Sequence, residues 1–132
     1  MSNIGKVVVS DSAPLGKDDP RRTIYLAFDK NCDFQTAEEA TIIVPKLATV
    51  LGNHWHNFKE LFVIVKGGAT FYLEDIDDRM RTERIVLAPF QRIMIPPRVA
   101  HAFTISEGSI ILAYLEKPFE PPIPFFLTEL SF

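Results

Sequence analysis

The chain has 132 residues, 47% of them hydrophobic and 23% charged, an ordinary composition for a globular domain that buries one core. Its formal net charge of −3 provides no basic patch of the kind that binds nucleic acid or anionic lipid. No apolar run approaches the roughly 18 to 20 residues that a membrane-spanning helix needs, so we expect a soluble protein.

The cysteine content and the first residues bear on the cellular compartment. Cys32 is the only cysteine, so no internal disulfide can form. The opening residues lack the charged-then-apolar layout of a signal peptide. Both features are typical of proteins in a reducing environment, and we therefore expect a cytoplasmic protein.

Short apolar or alternating runs, rich in Val, Ile, Phe and Tyr, recur along the chain with turn residues between them. They predict strands at 6–10, 23–28, 40–44, 48–51, 61–66, 69–75, 83–87, 92–95, 102–105 and 109–115. One helical turn is predicted around 35–39. The pattern indicates a single all-β domain over 1–132. That domain is a sandwich or a barrel. We expect its core to span about 40–116, with N-terminal strands within 4–28 and a tail at 117–132 packing on that core or on a partner subunit.

Turn residues predict how some of these strands connect. Gly67 and Gly68 lie between two apolar runs and predict a tight hairpin, because glycine supplies the positive φ that two-residue turns require. The polar stretch 75–81 predicts a second hairpin loop. Residues 117–124 include four prolines and should be extended, and 125–130 offers one last strand.

All three histidines and one glutamate lie in two short segments. His54 and His56 are two residues apart, so the alternation of a strand projects both from the same side. Glu60 begins a strand that is apolar on both faces, which places its carboxylate in a dehydrated interior. A lone carboxylate there is costly unless it is paired or bound to a metal. Three imidazoles and a carboxylate are a typical ligand set for a first-row transition metal, and only folding can bring His101 to the others.

The segment from Gly52 to Gly67 resembles the first motif of the cupin superfamily, G-x5-H-x-H-x3-4-E-x6-G, although Gly52 lies closer to the histidines than the motif's first glycine. The segment from Pro96 to His101 resembles the later cupin motif, G-x5-P-x-G-x2-H-x3-N. The resemblance implies the cupin double-stranded β-helix, a jelly-roll barrel that is often dimeric. It also implies metal ligands at His54, His56, Glu60 and His101.

The chain departs from the later motif at three positions. Arg98 stands where the motif has its second glycine, Phe90 lies near the first glycine, and Ile105 replaces the asparagine. A residue other than glycine tolerates a positive φ poorly, so we expect the loop around Arg98 to be reshaped.

Some residues near the expected barrel mouth are candidates for contacting a substrate. An arginine there can bind a carboxylate or phosphate through two parallel hydrogen bonds, although a solvent-facing loop arginine is the alternative. Aromatic side chains can line a cavity or simply pack in the core. The candidate substrate-contacting residues are Arg98, Phe62, Phe103 and Tyr72.

Three hypotheses for the function follow. The main one is a mononuclear metalloenzyme that acts on a small oxygen-rich substrate, such as a sugar or keto acid, through isomerase, lyase or dioxygenase chemistry. The second is a metal-free sugar-nucleotide ketoisomerase or epimerase, which the chain resembles more loosely, with His54 or His56 as the catalytic base. The third is a non-catalytic cupin that binds a small ligand.

The ligand set implies one divalent transition metal. Fe, Mn, Ni, Co and Zn all suit such a site, and the residues do not decide among them. The expected partners are a small-molecule substrate and a second copy of the chain in a homodimer, with neither nucleic acid nor a membrane.

Overall fold

The computed structural model describes residues 4, 6–12, 19–117, 120–125 and 127. Within them the chain forms ten strands: β1 (Val8–Asp11), β2 (Glu39–Ile43), β3 (Thr49–Trp55), β4 (Glu60–Lys66), β5 (Ala69–Asp75), β6 (Asp78–Leu87), β7 (Gln91–Ile95), β8 (Val99–Ile105), β9 (Ile110–Leu115) and β10 (Ile123–Pro124). The helical structure of the described residues is one 3-10 turn, Lys30–Cys32. The all-β prediction is confirmed.

The strands form two five-stranded antiparallel sheets. The first sheet has the order β1-β7-β4-β9-β2, and the second has the order β10-β3-β8-β5-β6. Consecutive strands often lie in different sheets, so the chain crosses repeatedly from one sheet to the other. This arrangement closes the two sheets around a common interior, as in a jelly roll.

Side-chain alternation fills the interior between the sheets with apolar groups. Phe62 and Ile64 of β4 point inward and are almost completely buried, whereas the alternate residues of that strand point outward. Phe62 packs against Phe71 and Phe103 of the second sheet, with ring centroids 5.1 and 5.2 Å away. The predicted division of β4 into two apolar faces is therefore confirmed. Phe62 and Phe103 belong to this aromatic core.

The outer face of the first sheet is covered by the segment 26–37, in which Cys32 and Phe34 are buried against Leu61. Arg92 of β7 holds this segment in place, and its side chain is 0% exposed. The Arg92 guanidinium donates to acceptors on Ser10, Asp11, Leu26, Ala27 and Asp29. A buried arginine is tolerated when its donors are satisfied in this way.

The outer face of the second sheet is covered by residues near the C-terminus. Leu127 is buried against Ala100 and Ala102 of β8, and Phe125 packs beside them. The backbone N–H of Phe125 donates to the carbonyl of Asn53, which fixes this segment along β3. The residues 120–125 and 127 therefore pack on the chain's own barrel, as one form of the prediction stated. The predicted last strand at 125–130 lies mostly outside the described residues.

Three predictions of local structure are corrected by the sheet topology. The predicted hairpin at Gly67 and Gly68 is wrong, because β4 and β5 lie in different sheets and do not pair. Gly67 has a φ of +78°, and a Cβ there would lie 2.4 Å from the hydroxyl of Ser109, so this position requires glycine for close approach. The predicted strand at 23–28 is irregular chain. The predicted helical turn at 35–39 is also absent, and the 3-10 turn lies earlier at Lys30–Cys32.

The hairpin predicted at 75–81 is present but shorter. Only Ile76 and Asp77 lie between β5 and β6, and the rest of the predicted loop belongs to β6. Among the described residues, no helix is long and apolar enough to cross a membrane.

Candidate active site

Three strands bring the four predicted metal ligands together in the barrel interior. The ligands are His54 at the end of β3, His56 just after it, Glu60 at the start of β4 and His101 in β8, and we call them the His/Glu cluster. β3 pairs with β8, and His54 lies opposite His101 in the ladder. Folding therefore brings His101 to the other three ligands, as the prediction required.

A local irregularity in β3 turns the two histidines inward. The register of β3 against β8 shifts between Gly52 and His54, and Asn53 there has a φ of +60°. His54 and His56 nevertheless project from the same side, with ring centroids 4.6 Å apart. Trp55 packs on the opposite, outer face, as strand alternation predicted.

The distances within the His/Glu cluster are those of a ligand set. The candidate ligand atoms of all four residues lie within 4.8 Å of one another. The Glu60 Oε1 atom is 3.1 Å from His56 Nε2 and 3.3 Å from His101 Nε2. Bond lengths of about 2.0 to 2.2 Å to a metal place neighbouring ligand atoms roughly 3 to 4 Å apart. The two distances from Glu60 therefore match those between ligands of one ion, and the widest separation in the cluster, 4.8 Å, is somewhat larger.

Several polar atoms of the cluster lack an aligned hydrogen-bond partner in the part of the chain that the structure describes, which is what a cation bound between them would explain. His101 Nδ1 lies 3.1 Å from the carbonyl of Val99, which can only accept, so this nitrogen carries the proton. The Nε2 atom of His101 faces Glu60, with a lone pair when the ring is neutral and with a proton when the ring is charged. His56 Nε2, Glu60 Oε1 and His101 Nε2 are buried without an aligned hydrogen-bond partner among the described residues. Acceptors facing one another in a dry interior repel unless a proton or a cation lies between them.

The electrostatics of the site favour an ionised carboxylate and a neutral imidazole. Burial by itself would raise the pKa of Glu60, but the adjacent His101 and His56 rings lower that pKa to about 2. Burial, followed by the charges of His101 and His56, lowers the pKa of His54 to about 4. At neutral pH the site therefore offers a carboxylate and a neutral His54 nitrogen, the protonation states that bind metals.

We expect the stability of the metal-free protein to fall as the pH drops from about 6.5 toward 4. Over that window the unfolded chain binds a proton at His54, whose ordinary pKa is 6.5, whereas the folded chain, with a pKa of about 4, does not. The contribution of His54 to stability is therefore complete above pH 6.5 and is lost as the pH falls through 4. Urea unfolding across this window measures the effect, and His54→Asn should flatten the profile. An NMR titration of His54 near pH 6.5 would contradict it.

Gly52 allows β3 and β8 to approach closely beside the cluster. It has a φ of +96°, and a Cβ at this position would lie 2.7 Å from the carbonyl oxygen of His101 and 3.0 Å from the Cα of Ala102. These neighbours are backbone atoms, which cannot move aside without shifting His101. Gly52 is therefore a structural requirement for the position of His101.

We expect Gly52→Ala to lower the free energy of unfolding by at least about 2 kcal/mol, through the clash together with the strain of positive φ. Gly108→Ala is a matched control, since Gly108 has a φ of +88° but no atom within 4 Å of its added Cβ. The control should lose only about 1 kcal/mol. Equal losses in urea unfolding would contradict a close approach at Gly52.

The loop before β8 keeps the backbone conformation that glycine would favour. Arg98 in this loop has a φ of +66°, so the expectation of a reshaped loop there is wrong. Phe90, in the loop before β7, also has a positive φ, +70°. The N–H of Arg98 donates to the carbonyl of His56, and the carbonyl of Arg98 accepts from Ile76. These two hydrogen bonds hold the left-handed conformation, and the first also fixes the backbone of a cluster residue.

We expect Arg98→Gly to be more stable than Arg98→Ala by about 1 kcal/mol, because only glycine is unstrained at this φ. Both variants lose the same side-chain contacts, so their difference isolates the strain. At Arg81, an exposed residue of β6 without a positive φ, the order should reverse, since glycine is ordinarily worse than alanine in a strand. Urea unfolding of the four variants checks the prediction, and an alanine advantage at Arg98 would contradict it.

The structure does not bring all the candidate substrate residues to the cluster. Phe62 does lie beside it, with its ring centroid 6.0 Å from that of His101, and Phe103 packs behind Phe62. Tyr72 points to the outer face of β5, where it packs with Trp55, because its neighbours in the strand take the inward positions. The Arg98 guanidinium pairs with Asp77 and lies 5.4 Å from the Trp55 ring, away from the interior.

Phe58 is a site residue outside the predicted set of substrate-contacting residues. It lies in the turn between β3 and β4, is 2% exposed, and packs its ring 4.4 Å from that of His56. Its position between His56 and Glu60 in sequence was a signal, since a short turn between two ligands must pass close to them. Phe58 and Phe62 together give the cluster an apolar surround that limits access of water.

The chain is similar to known proteins in structure, whereas no protein-family model and no curated protein sequence matches it. A TDP-quinovose 3,4-ketoisomerase from Campylobacter jejuni is 16% identical with a TM-score of 0.75, and the match covers 91% of this chain and 93% of that chain. A TDP-fucose-3,4-ketoisomerase from the same organism is 15% identical with a TM-score of 0.70, covering 85% and 82%.

A dTDP-4-dehydrorhamnose 3,5-epimerase from Bacillus anthracis is also similar. It is 15% identical with a TM-score of 0.73, and the match covers 89% of this chain and 75% of that chain. Likeness at these identities shows the fold, which is the cupin double-stranded β-helix. The fold prediction is therefore confirmed.

Proposed function

We propose that the chain is a cupin enzyme of the isomerase or epimerase type that acts on a small oxygen-rich substrate, such as a sugar or keto acid, at the His/Glu cluster. The observation that carries this proposal is the convergence of three imidazoles and a carboxylate within 4.8 Å in a largely buried site. The structural neighbours support isomerase or epimerase chemistry over the lyase and oxygenase chemistry that the sequence left open, since their names describe ketoisomerases and an epimerase.

The residues of the cluster suit a divalent transition metal, which His54, His56, Glu60 and His101 would hold. A bound metal would act as a Lewis acid on a substrate oxygen and make the proton on the neighbouring carbon more acidic. The unpartnered atoms of His56, Glu60 and His101 support this part of the proposal, because ligands to a metal need no other partner.

Different residues of the chain would have different roles at such a site. His54 is only half-buried, so it is the cluster member that a substrate can approach. Phe58 and Phe62 exclude water, which strengthens the electrostatic interactions inside. The Val99 carbonyl fixes the ring of His101 by accepting from its Nδ1 atom, as backbone carbonyls often do for metal-bound histidines.

Elemental analysis of protein purified without added metal tests the metal assignment. We expect about one divalent transition metal per chain, and its loss in His101→Ala. Metal-free wild-type protein that remains metal-free when Fe, Mn, Ni, Co or Zn is added would overturn the assignment.

A second candidate function is a metal-free sugar-nucleotide ketoisomerase or epimerase. The structural neighbours favour it more than they favour a metal enzyme, since they act on TDP sugars according to their names. The lowered pKa of His54, about 4, leaves this half-buried imidazole neutral, so its nitrogen has a lone pair for a proton from the carbon beside a ketone, while the same shift makes it a weaker base than an ordinary histidine. In this case His54 or His56 serves as the base.

One pair of measurements separates the two candidates. Thermal stabilisation by TDP in the presence of a chelator, together with chelator-resistant deuterium exchange into a TDP-keto sugar, would support the metal-free candidate. Exchange that stops on chelation and returns with one metal would support the metal-dependent enzyme. Binding of TDP or a sugar without any exchange would instead indicate a non-catalytic binding protein.

A further inference from the structure

The C-terminal segment lies along the strand that carries His54, on the side away from β8. β3 pairs with β8 on one side and with β10 on the other, and Pro124 of β10 lies opposite His54. The N–H of Phe125 then donates to the carbonyl of Asn53, with a distance of 2.9 Å between nitrogen and oxygen. The segment therefore contacts the backbone of β3 directly beside the first residue of the His/Glu cluster.

The irregularity at Asn53 sets the direction in which His54 projects. The register of β3 against β8 shifts between Gly52 and His54, and the φ of Asn53 is +60°, a conformation that asparagine adopts more readily than most residues but still at a cost. An irregularity of this kind re-aims the side chains that follow it. Strained backbone persists only where surrounding contacts hold it, and the hydrogen bond from Phe125 to the Asn53 carbonyl is such a contact.

A buried carboxylate on the outer face of the second sheet holds an arginine against Phe125. The side chain of Glu74 is 1% exposed, and its Oε2 atom accepts from Arg79 Nε at 2.6 Å. A carboxylate buried this deeply favours a cation at hydrogen-bonding distance. The Arg79 guanidinium carbon lies 4.7 Å from the centroid of the Phe125 ring, which is a cation–π distance. Arg79 therefore connects a fixed carboxylate to the aromatic residue that bonds to Asn53.

We propose that Arg79 is a positioning residue for His54. Its guanidinium, paired with Glu74, holds the Phe125 ring against the second sheet. Phe125 in turn holds the carbonyl of Asn53, and with it the irregularity that directs His54 into the cluster. This role rests on the proposed function, in which His54 is the cluster member that a substrate can approach.

Amide hydrogen exchange and NMR of the imidazole rings, both on metal-free protein at a fixed neutral pH, test the proposal. Arg79→Met should lower the exchange protection of the Phe125 N–H by at least about tenfold, because the ring is no longer held. It should also move the ring signals of His54 more than those of His101, which lies in β8. Arg79→Lys keeps a cation beside Glu74 and should retain most of the wild-type protection and ring signals.

Two further variants distinguish this role from a general loss of stability. Phe125→Leu removes the ring but leaves the ion pair of Arg79 in place, so it should give the same two changes even if Arg79→Met does not fold. Arg81→Met is the matched control, since Arg81 is 58% exposed, pairs with an aspartate of its own strand and should leave both measurements unchanged. Wild-type protection of the residue 125 N–H in Arg79→Met and Phe125→Leu, or lowered protection with unchanged His54 signals, would overturn the proposal.

Metal titration of the same variants measures the effect on the His/Glu cluster. Arg79→Met and Phe125→Leu should each raise the Kd for a divalent transition metal by at least about tenfold, whereas Arg81→Met should not. An unchanged Kd in both variants would overturn the role of Arg79 at the site. A wild type that binds no metal would remove the metal assignment alone, and the exchange and ring signals would then decide the positioning role.

Discussion

Glu60→Gln should abolish most of the stabilisation that a divalent metal gives the protein. The substitution keeps the size of the side chain but removes the only negative charge of the His/Glu cluster. We expect the metal affinity to fall at least about 100-fold, since an anionic ligand is replaced by a neutral amide. A metal present at about 1,000 times its Kd stabilises a protein by about 4 kcal/mol, which corresponds to roughly 15 °C in Tm for a domain of this size.

Thermal unfolding with and without a chelator measures this effect. The wild type should lose the whole stabilisation on chelation, whereas Glu60→Gln, at no more than about 10 times its raised Kd, should have at most about 1.4 kcal/mol, or roughly 5 °C, to lose. Glu107→Gln is the matched control, because Glu107 is an exposed residue of the turn before β9 and should respond to chelation like the wild type. A Glu60→Gln variant that retains the full response would contradict the role of Glu60 as a ligand.

Arg92→Met should lower the free energy of unfolding by about 3 to 5 kcal/mol, which is the usual cost of removing one partner from a buried ion pair. The methionine removes the Arg92 donor from three backbone carbonyls and from the Asp29 carboxylate, which keeps the N–H of Asn31. It should also loosen the segment 26–37 over the outer face of the first sheet. This loss is a large part of the stability of an ordinary domain, about 5 to 15 kcal/mol.

Urea unfolding checks the prediction against a control at the surface. Arg21 also pairs with an aspartate, Asp19, but its side chain is 76% exposed, so Arg21→Met should cost less than about 0.5 kcal/mol. Asp29→Asn, which removes one of the Arg92 partners, provides a milder variant if Arg92→Met does not fold. If Arg92→Met and Asp29→Asn lower the free energy of unfolding no more than Arg21→Met does, the buried hydrogen-bond network of Arg92 contributes little to stability.

The sequence predicted those features of the fold and the site that depend on neighbouring residues. The period of two along β4 placed Phe62 on the inner face, and the His-x-His spacing placed His54 and His56 on one side. Both predictions depend on strand geometry alone, which any residue in a strand obeys. The spacing also predicted that Glu60 lies near the two histidines, because the three residues between His56 and Glu60 can separate their side chains only a little.

Predictions that depended on pairing between distant strands were less successful. Gly67 and Gly68 suited a hairpin, yet β4 pairs with β7 and β9, which follow much later in the chain. The strand period does not specify the partner, and sheet order follows from how the whole barrel closes around its core. Tyr72 was a substrate candidate by residue type, but the register of β5 turns it outward because Phe71 occupies the inner face.

The backbone conformation of Arg98 and Phe90 was likewise not predictable from the neighbouring residues. Local preference argued against a positive φ at either residue, but the hydrogen bonds of the Arg98 backbone to His56 and Ile76 hold the strained conformation at Arg98. The burial of Arg92 had no signal in the sequence, since its acceptors lie 63 to 82 residues away along the chain. Tertiary contacts override local preferences where enough of them act on one residue.

By itself, therefore, the sequence predicted the fold class, the faces of the strands and the local grouping of His54, His56 and Glu60, because these follow from residue type and local spacing. His101 joined this set through the resemblance to the later cupin motif. Only the tertiary structure decided that His101 lies opposite His54, that Arg98 turns to Asp77 instead of the interior, and that β10 lies beside β3. Each of these depends on which distant strands become neighbours. That choice is made by the packing of the whole core and not by any single segment.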